Sequence, residues 1–266
     1  MYDRFNRKIN YLRISVTDRC NLRCRYCMPA CGIEMLSHND ILSFEEIVEL
    51  VKFGTDHGIT KVRITGGEPL VRKGVVDLVE MLSGINGISD LAMTTNGTLL
   101  DQFAVPLKKA GLHRVNVSLD TMDPESFRNI TRGGDIAEVL TGIEAARAAG
   151  LSPVKINCVV KDSAMEKDAQ GVVAWCRNND LQVRFIKEMD LETGKFSKVM
   201  GGEGGNCAAC NRLRLTANGK LKPCLFSDLE FDVRELGIEQ AFARALGLKP
   251  KSGTGNKINK FSNIGG

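Results

Sequence analysis

Leu12-Arg13-Ile14-Ser15-Val16-Thr17-Asp18-Arg19-Cys20-Asn21-Leu22-Arg23-Cys24-Arg25-Tyr26-Cys27-Met28-Pro29 is the stretch on which the reading of this chain turns. Its first part alternates apolar and polar side chains, the period of a β-strand with two unlike faces. Its second part sets three cysteines as Cys-x3-Cys-x2-Cys directly after that strand. Thiolates converging from one loop can hold a metal ion or an iron–sulfur cluster. A four-iron cluster held by three thiolates leaves one iron without a protein ligand, an open position of the kind catalytic metal sites keep. Cys31 follows at a spacing of four, so a closed four-thiolate zinc site is a second reading. Cysteines scattered through a core need no such spacing.

Outward from this stretch, strands and helices alternate. Strands are expected at 11–17, 61–65, 90–95, 114–119, 154–160 and 181–186. Helices are expected at 44–57 (capped by Ser43), 74–82, 99–110, 136–149 and 166–178. Six strands with intervening helices argue for βαβ units, right-handed crossovers and a parallel sheet.

The strands place cations on one face. Arg13, Ser15 and Thr17 alternate with Leu12, Ile14 and Val16, and Lys61, Arg63 and Thr65 with Val62 and Ile64. Further on, Asn116, Ser118 and Asp120 oppose Val115, Val117 and Leu119, and Lys155 and Asn157 oppose Ile156 and Cys158. Arg184 opposes Val183 and Phe185. A closed barrel fills its interior with branched apolar side chains and could not take these cations unpaired. An open, incomplete barrel with a wet, cationic lumen for an anionic ligand satisfies the pattern. Solvent faces of a bare sheet are the alternative, but parallel sheets are rarely left bare.

After Met189 the pattern breaks. Residues 191–206 hold Gly194, Gly201, Gly202, Gly204 and Gly205 without periodicity, and read as a linker. Cys207, Cys210 and Cys224 make a second three-cysteine set, and Asn218-Gly219 between apolar runs signals a hairpin that brings Cys224 towards the other two. A zinc ribbon would need a fourth ligand, and none lies nearby. A helix at 233–246 and a Lys-, Gly- and Asn-rich tail follow. The organisation expected is a partial barrel at 1–190, a Gly-rich linker at 191–206, and a small C-terminal domain at 207–266.

Composition sets bounds. The 266 residues are 43% hydrophobic and 26% charged, as in ordinary globular proteins. The net charge of +4 makes no case for nucleic-acid binding. The apolar runs are too short to span a bilayer, residues 1–10 lack a signal-peptide core, and thiols at ligand spacing point to the reducing cytoplasm. His38, His57 and His113 carry no ligand spacing, and Cys158, Cys176 and Trp175 sit on apolar faces as core residues.

Residues 13–29, 61–69, 94–97, 116–120, 155–157, 183–189, 207–219 and 224–226, with the terminal Gly265-Gly266, together resemble the GTP 3′,8-cyclase family of molybdenum cofactor biosynthesis. These are radical S-adenosylmethionine (SAM) enzymes with two four-iron clusters. The resemblance implies an α/β fold, an incomplete (β/α)6 TIM-like barrel of the radical SAM type, with a small C-terminal iron–sulfur domain containing the β-hairpin. It implies a lyase that cleaves SAM to a 5′-deoxyadenosyl radical, abstracts the 3′ hydrogen of GTP and joins the ribose carbon to C8 of the guanine.

By the same resemblance Cys20, Cys24 and Cys27 hold the SAM-cleaving [4Fe-4S] cluster, and Cys207, Cys210 and Cys224 the second, on whose open iron the guanine binds. Tyr26, Gly66, Gly67, Glu68, Thr94, Ser118 and Met189 fall where the family binds SAM. Arg13, Lys61, Arg63, Lys155, Arg184, Arg212 and Arg214 fall where it binds GTP, and Gly265 and Gly266 form a catalytic tail threading close to the substrate. The implied partners are an electron donor such as flavodoxin or ferredoxin and the downstream cyclic pyranopterin monophosphate synthase. The implied assembly is a monomer or homodimer. The segment between Met189 and Cys207 is several dozen residues shorter than the family pattern. A peptide-modifying radical SAM enzyme and a non-catalytic GTP- or metal-binding relative are the rival readings.

Overall fold

In the computed structural model, which describes residues 1–259 and 261–264, nine strands form a single sheet. They are β1 (Tyr11–Ser15), β2 (Lys61–Thr65), β3 (Asp90–Thr95), β4 (Arg114–Ser118), β5 (Lys155–Val160), β6 (Gln182–Lys187), β7 (Arg212–Leu215), β8 (Lys220–Lys222) and β9 (Phe231–Asp232). The helices are α1 (Phe44–Asp56), α2 (Val75–Ser83), α3 (Leu100–Lys109), α4 (Pro124–Thr131), α5 (Ile136–Ala148), α6 (Lys167–Asn178), α7 (Val233–Leu236), α8 (Ile238–Gly247) and α9 (Phe261–Ile264). The expected catalytic tail, Gly265 and Gly266, lies outside the described residues.

The strand order is β6-β5-β4-β3-β2-β1-β7-β8-β9. Neighbours from β6 to β7 pair in parallel, and β8 and β9 are added antiparallel. The six expected strands thus stand side by side, with β7 a seventh parallel strand on the free edge of β1. That pairing joins residues about 200 apart, so no local pattern announces it. The hairpin forms as Asn218-Gly219 predicts, with Arg214 opposite Lys222 and Leu215 opposite Leu221.

Each strand turns its apolar side chains to the helices. Ile14, Ile64, Met93, Val115 and Ile156 are fully buried there, packed in one core with Leu50, Leu78, Leu107, Val139 and Val172 of the covering helices. The α1 helix begins as expected at Ser43, in a capping box with Glu46. Two elements differ from the sequence reading. The α4 helix fills a stretch where no element is expected. Asp123 caps it by accepting from Ser126 N, with Pro124 in the first turn, a start signal that is short and easily passed over. The expected helix at 233–246 is divided by Gly237, whose φ of 78° interrupts helical geometry.

Residues 191–206 pack against β6 and the C-terminal segment. Phe185 and Met200 exchange backbone hydrogen bonds of 3.0 and 3.1 Å, and Val199 N donates to Gly204 O. A Cβ on Gly205, at φ 74°, would stand 2.0 Å from Ser197 O, so this fold of the segment requires glycine there. Leu191, Leu225, Phe226 and Ile264 form a second small core beneath it, with Phe196 stacked on Phe226 at 4.4 Å. Among the described residues no helix is long and apolar enough to cross a membrane.

Candidate active site

The polar faces of the strands enclose a cavity of about 460 Å³, within the usual range for small-molecule sites. All seven cations assigned to GTP by the family resemblance, Arg13, Lys61, Arg63, Lys155, Arg184, Arg212 and Arg214, line it. So do Cys207, Cys210 and Cys224. Of the residues expected at SAM, Thr94 and Met189 line this cavity, and Tyr26 lines a neighbouring one of about 650 Å³ with Asp120 and Val159. Gly66, Gly67, Glu68 and Ser118 line neither cavity.

Register explains the concentration of charge. Arg63, Arg13 and Arg214 are directly opposite one another on β2, β1 and β7, and the row below runs Lys61, Tyr11, Arg212. Like charges abreast in a sheet repel, and these are also desolvated. Burial, then the Arg214 charge, holds Arg13 well below the ordinary arginine value. Burial, then Arg212, brings Arg214 down to about 10. Burial likewise lowers Arg63, Arg184 and Lys155. Tyr11 lies between two of the guanidinium groups, its ring centre 5.6 Å from Arg63 and 5.3 Å from Arg212. The Nε atoms of Arg63 and Arg212, Thr94 Oγ1 and Asn116 Nδ2 are buried without hydrogen-bond partners. Buried donors aimed into a cavity without acceptors mark where a polyanion would bind.

The sequence reading did not single out Asp90, Arg114 or Tyr11 as cavity residues. Arg114 donates to Asp90 at 2.6 and 2.9 Å and to Asn116 Oδ1 at 3.1 Å. All three follow the same alternation as the named residues, Arg114 two before Asn116 and Tyr11 two before Arg13, so strand parity carried that signal. Residues 196–206 also line the cavity through Phe196, Ser197, Val199 and four of its glycines. Nothing periodic marks them.

At the other end of β1, the first cysteine set sits on a loop zipped to the loop after β2. Gly67 N donates to Thr17 O at 2.7 Å and Glu68 N to Arg19 O at 2.8 Å. A Cβ on Gly66 would approach Thr17 O to 2.7 Å, so these glycines allow the two loops to touch. The end of α4 holds the other side, through Arg23 N to Thr131 O and Arg25 N to Ile130 O. Within the loop, Cys27 N and Met28 N both donate to Cys24 O, a tight turn between the second and third of the three half-buried cysteines. Asn96 Nδ2 reaches Cys20 Sγ at 3.9 Å and Asn21 Oδ1 at 2.8 Å. Tyr26 donates to Asp120 Oδ2 at 2.7 Å, and Val159 N donates to the other oxygen.

Burial, then Asp120, pushes the Cys24 thiol up to about 12, and burial also raises Cys20 and Cys27. Three cysteines on one loop, each giving up its proton on binding, fit the thiolate donor set of an iron–sulfur cluster. Cys31, the fourth sulfur of the zinc reading, is exposed, whereas Cys20, Cys24 and Cys27 are half-buried. The second set differs in charge. Burial opposes it, but Lys249 and Arg212 bring Cys210 below its ordinary value.

Glu68 is fully buried and accepts from Thr95 Oγ1, Leu70 N and Asn96 N, yet burial outweighs these bonds and lifts it from 4.5 to about 7. A carboxyl raised in the folded state favours the protonated protein. Its contribution to stability is complete below 4.5 and lost as pH rises through about 7. The melting temperature of the metal-free protein should therefore fall between pH 5 and 8, and Glu68→Gln should flatten that slope. A slope unchanged by the substitution would rule Glu68 out as its source.

Residues 14–176 match the Radical SAM superfamily and residues 188–252 match Molybdenum Cofactor Synthesis C. A parallel strand–helix sheet with a three-cysteine loop after β1 is thus a radical SAM enzyme, a class whose chemistry rests on a [4Fe-4S] cluster and SAM. The structure of SuiB from Streptococcus suis bound to S-adenosylmethionine shares that fold, with a TM-score of 0.64 at 14% identity over 91% of this chain and 64% of that one. The chain is 42% identical to the GTP 3′,8-cyclase of Thermodesulfovibrio yellowstonii over 322 aligned positions, covering 100% of both. It is 42% identical to that of Petrotoga mobilis over 323, again covering 100% of both. The chain belongs to the GTP 3′,8-cyclase family. An alignment of 322 positions that takes in all 266 residues leaves 56 positions where this chain has no residue.

Proposed function

We propose that this enzyme is a GTP 3′,8-cyclase, a radical SAM lyase that converts GTP to 3′,8-cyclo-7,8-dihydro-GTP in the first step of molybdenum cofactor biosynthesis. The observation that carries the reading is the in-register row Arg63, Arg13, Arg214 on the wall of a cavity that also holds Cys207, Cys210 and Cys224.

Cys20, Cys24 and Cys27 would hold one [4Fe-4S] cluster, and Cys207, Cys210 and Cys224 a second. With the first cluster and SAM bound, the site would have the radical chemistry needed to act on the ribose. The chain's own residues bind, orient and exclude. Arg13, Lys61, Arg63, Lys155, Arg184, Arg212 and Arg214 neutralise the triphosphate, and Tyr11 keeps two of the guanidinium planes in place. Gly66, Gly67, Glu68, Thr94, Ser118, Met189 and Tyr26 would receive SAM, with the buried Glu68 carboxylate suited to its ammonium. Segment 196–206 walls the cavity and keeps water from a reactive intermediate. The family resemblance assigns a catalytic role to Gly265 and Gly266, which lie outside the described residues.

Nine free cysteines, six of them at ligand spacing, favour a reducing cytoplasm. A flavodoxin- or ferredoxin-like donor would deliver electrons, and cyclic pyranopterin monophosphate synthase would consume the product. Monomer and homodimer both suit the reading.

The 56 missing positions favour one second reading, a relative that holds GTP without turning it over. Anaerobic incubation with reductant, SAM and GTP separates the two. Formation of 5′-deoxyadenosine with loss of GTP supports the cyclase. SAM cleavage without GTP loss would point to another substrate, and GTP binding without either product to the non-catalytic relative.

A further inference from the structure

Lys249 is 1% exposed, yet none of the ion pairs among the described residues includes it. It follows the C-terminal end of α8, and its ammonium donates to Arg212 O at 2.7 Å and to Pro223 O. Arg212 lies two residues after Cys210, and Pro223 directly precedes Cys224. The Cys210 and Cys224 side chains lie close enough to act electrostatically on the same ammonium. The adjoining residues brace Cys207. Ser252 Oγ donates to Cys207 Sγ at 3.6 Å, and Arg7, paired with Asp3 at 2.6 Å, donates to Cys207 O at 2.8 Å and Pro250 O at 2.7 Å. The segment from Lys249 to Ser252 therefore touches the chain at Cys207 and within two residues of Cys210 and Cys224.

A buried ammonium facing carbonyl dipoles and two thiols, with the Arg7 guanidinium also near, is expensive unless an anion joins it. Three thiolates on a four-iron core in its usual oxidised state carry net negative charge. We propose that Lys249 is the buried counter-charge and positioning residue of the second cysteine set, balancing the cluster while fixing the backbone beside Cys210 and Cys224. This rests on the reading of Cys207, Cys210 and Cys224 as cluster ligands.

The test uses the full chain with Cys20, Cys24 and Cys27 replaced by alanine, so that iron and sulfide load only the second set. Loading should raise the melting temperature, and by clearly more in the Lys249 chain than in Lys249→Met. In Lys249→Gln, which keeps donors but loses the charge, the midpoint potential followed by electron paramagnetic resonance should fall, because the cation favours the added electron. Equal rises on loading and an unchanged potential are what a structural peg predicts, and they would overturn the proposal. Should Lys249→Met not fold, Lys249→Gln serves for both measurements. A parent chain that takes up no iron would overturn the cluster reading itself, and Lys249 with it.

Discussion

Replacing Arg63 by methionine should weaken GTP binding by about 10- to 100-fold and at the same time raise the melting temperature of the ligand-free protein. The first effect follows from losing one or more charge-assisted hydrogen bonds, each contributing roughly 1.5–3 kcal/mol, with 1.4 kcal/mol equal to tenfold. The second follows from the register. Arg63 is 8% exposed beside Arg13, with an unsatisfied Nε, and methionine keeps much of the stem while removing the repulsion and the orphaned donor. A site that holds like charges abreast trades stability for affinity. Equilibrium binding of GTP and of SAM, with thermal melts, checks both. Equal loss of GTP and SAM binding would sink the assignment of this wall to the nucleotide.

An equally large effect is expected at Gly67. A Cβ there would stand 2.3 Å from Arg19 O, 2.7 Å from Arg19 C and 2.8 Å from Asp18 O, all backbone atoms with no rotamer to yield. Gly67→Ala must therefore push the loop bearing Cys20 away from the loop bearing Glu68, breaking the 2.7 and 2.8 Å bonds between them. We expect a loss of several kcal/mol and failure to retain iron at the first set, while the second set still loads. Gly247 is the control. It ends α8 with nothing within 4 Å of an added Cβ, so Gly247→Ala should be neutral or stabilising by up to about 1 kcal/mol. Iron content per chain and melting temperatures decide the comparison, and a Gly67→Ala protein that keeps its first-set iron would show that the loops can separate without harm.

What the sequence could reveal was what repeats locally. Alternation along β1, β2, β5 and β6 identified Arg13, Lys61, Arg63, Lys155 and Arg184 as residues of one face, and the structure gathers them around one cavity. The same alternation extended one step would have added Tyr11 and Arg114. Adjacency is another matter. That β7 lies beside β1, setting Arg214 next to Arg13, depends on a contact between distant segments and leaves no periodic trace. The cavity-facing course of residues 196–206 is invisible for a related reason. It is held by glycine close approaches and by stacking of Phe196 on Phe226, and glycine-rich sequence looks alike whether it is anchored or loose. The division at Gly237 was legible in principle, since glycine inside a helical pattern is a standing warning.

The pairing of β7 with β1 also governs how the molecule comes into being. On the ribosome, β1 and the first cysteine loop emerge roughly 200 residues before Arg212 and Arg214, and until then one edge of β1 has no partner. Closing so distant a contact is slow, and an unpaired strand edge invites pairing with other chains. A prematurely terminated chain could thus present the complete first cysteine loop on a sheet that lacks a third of its arginine row. Such fragments would be prone to aggregation, and iron supplied to them would meet a thiol loop without the finished cationic cavity beside it.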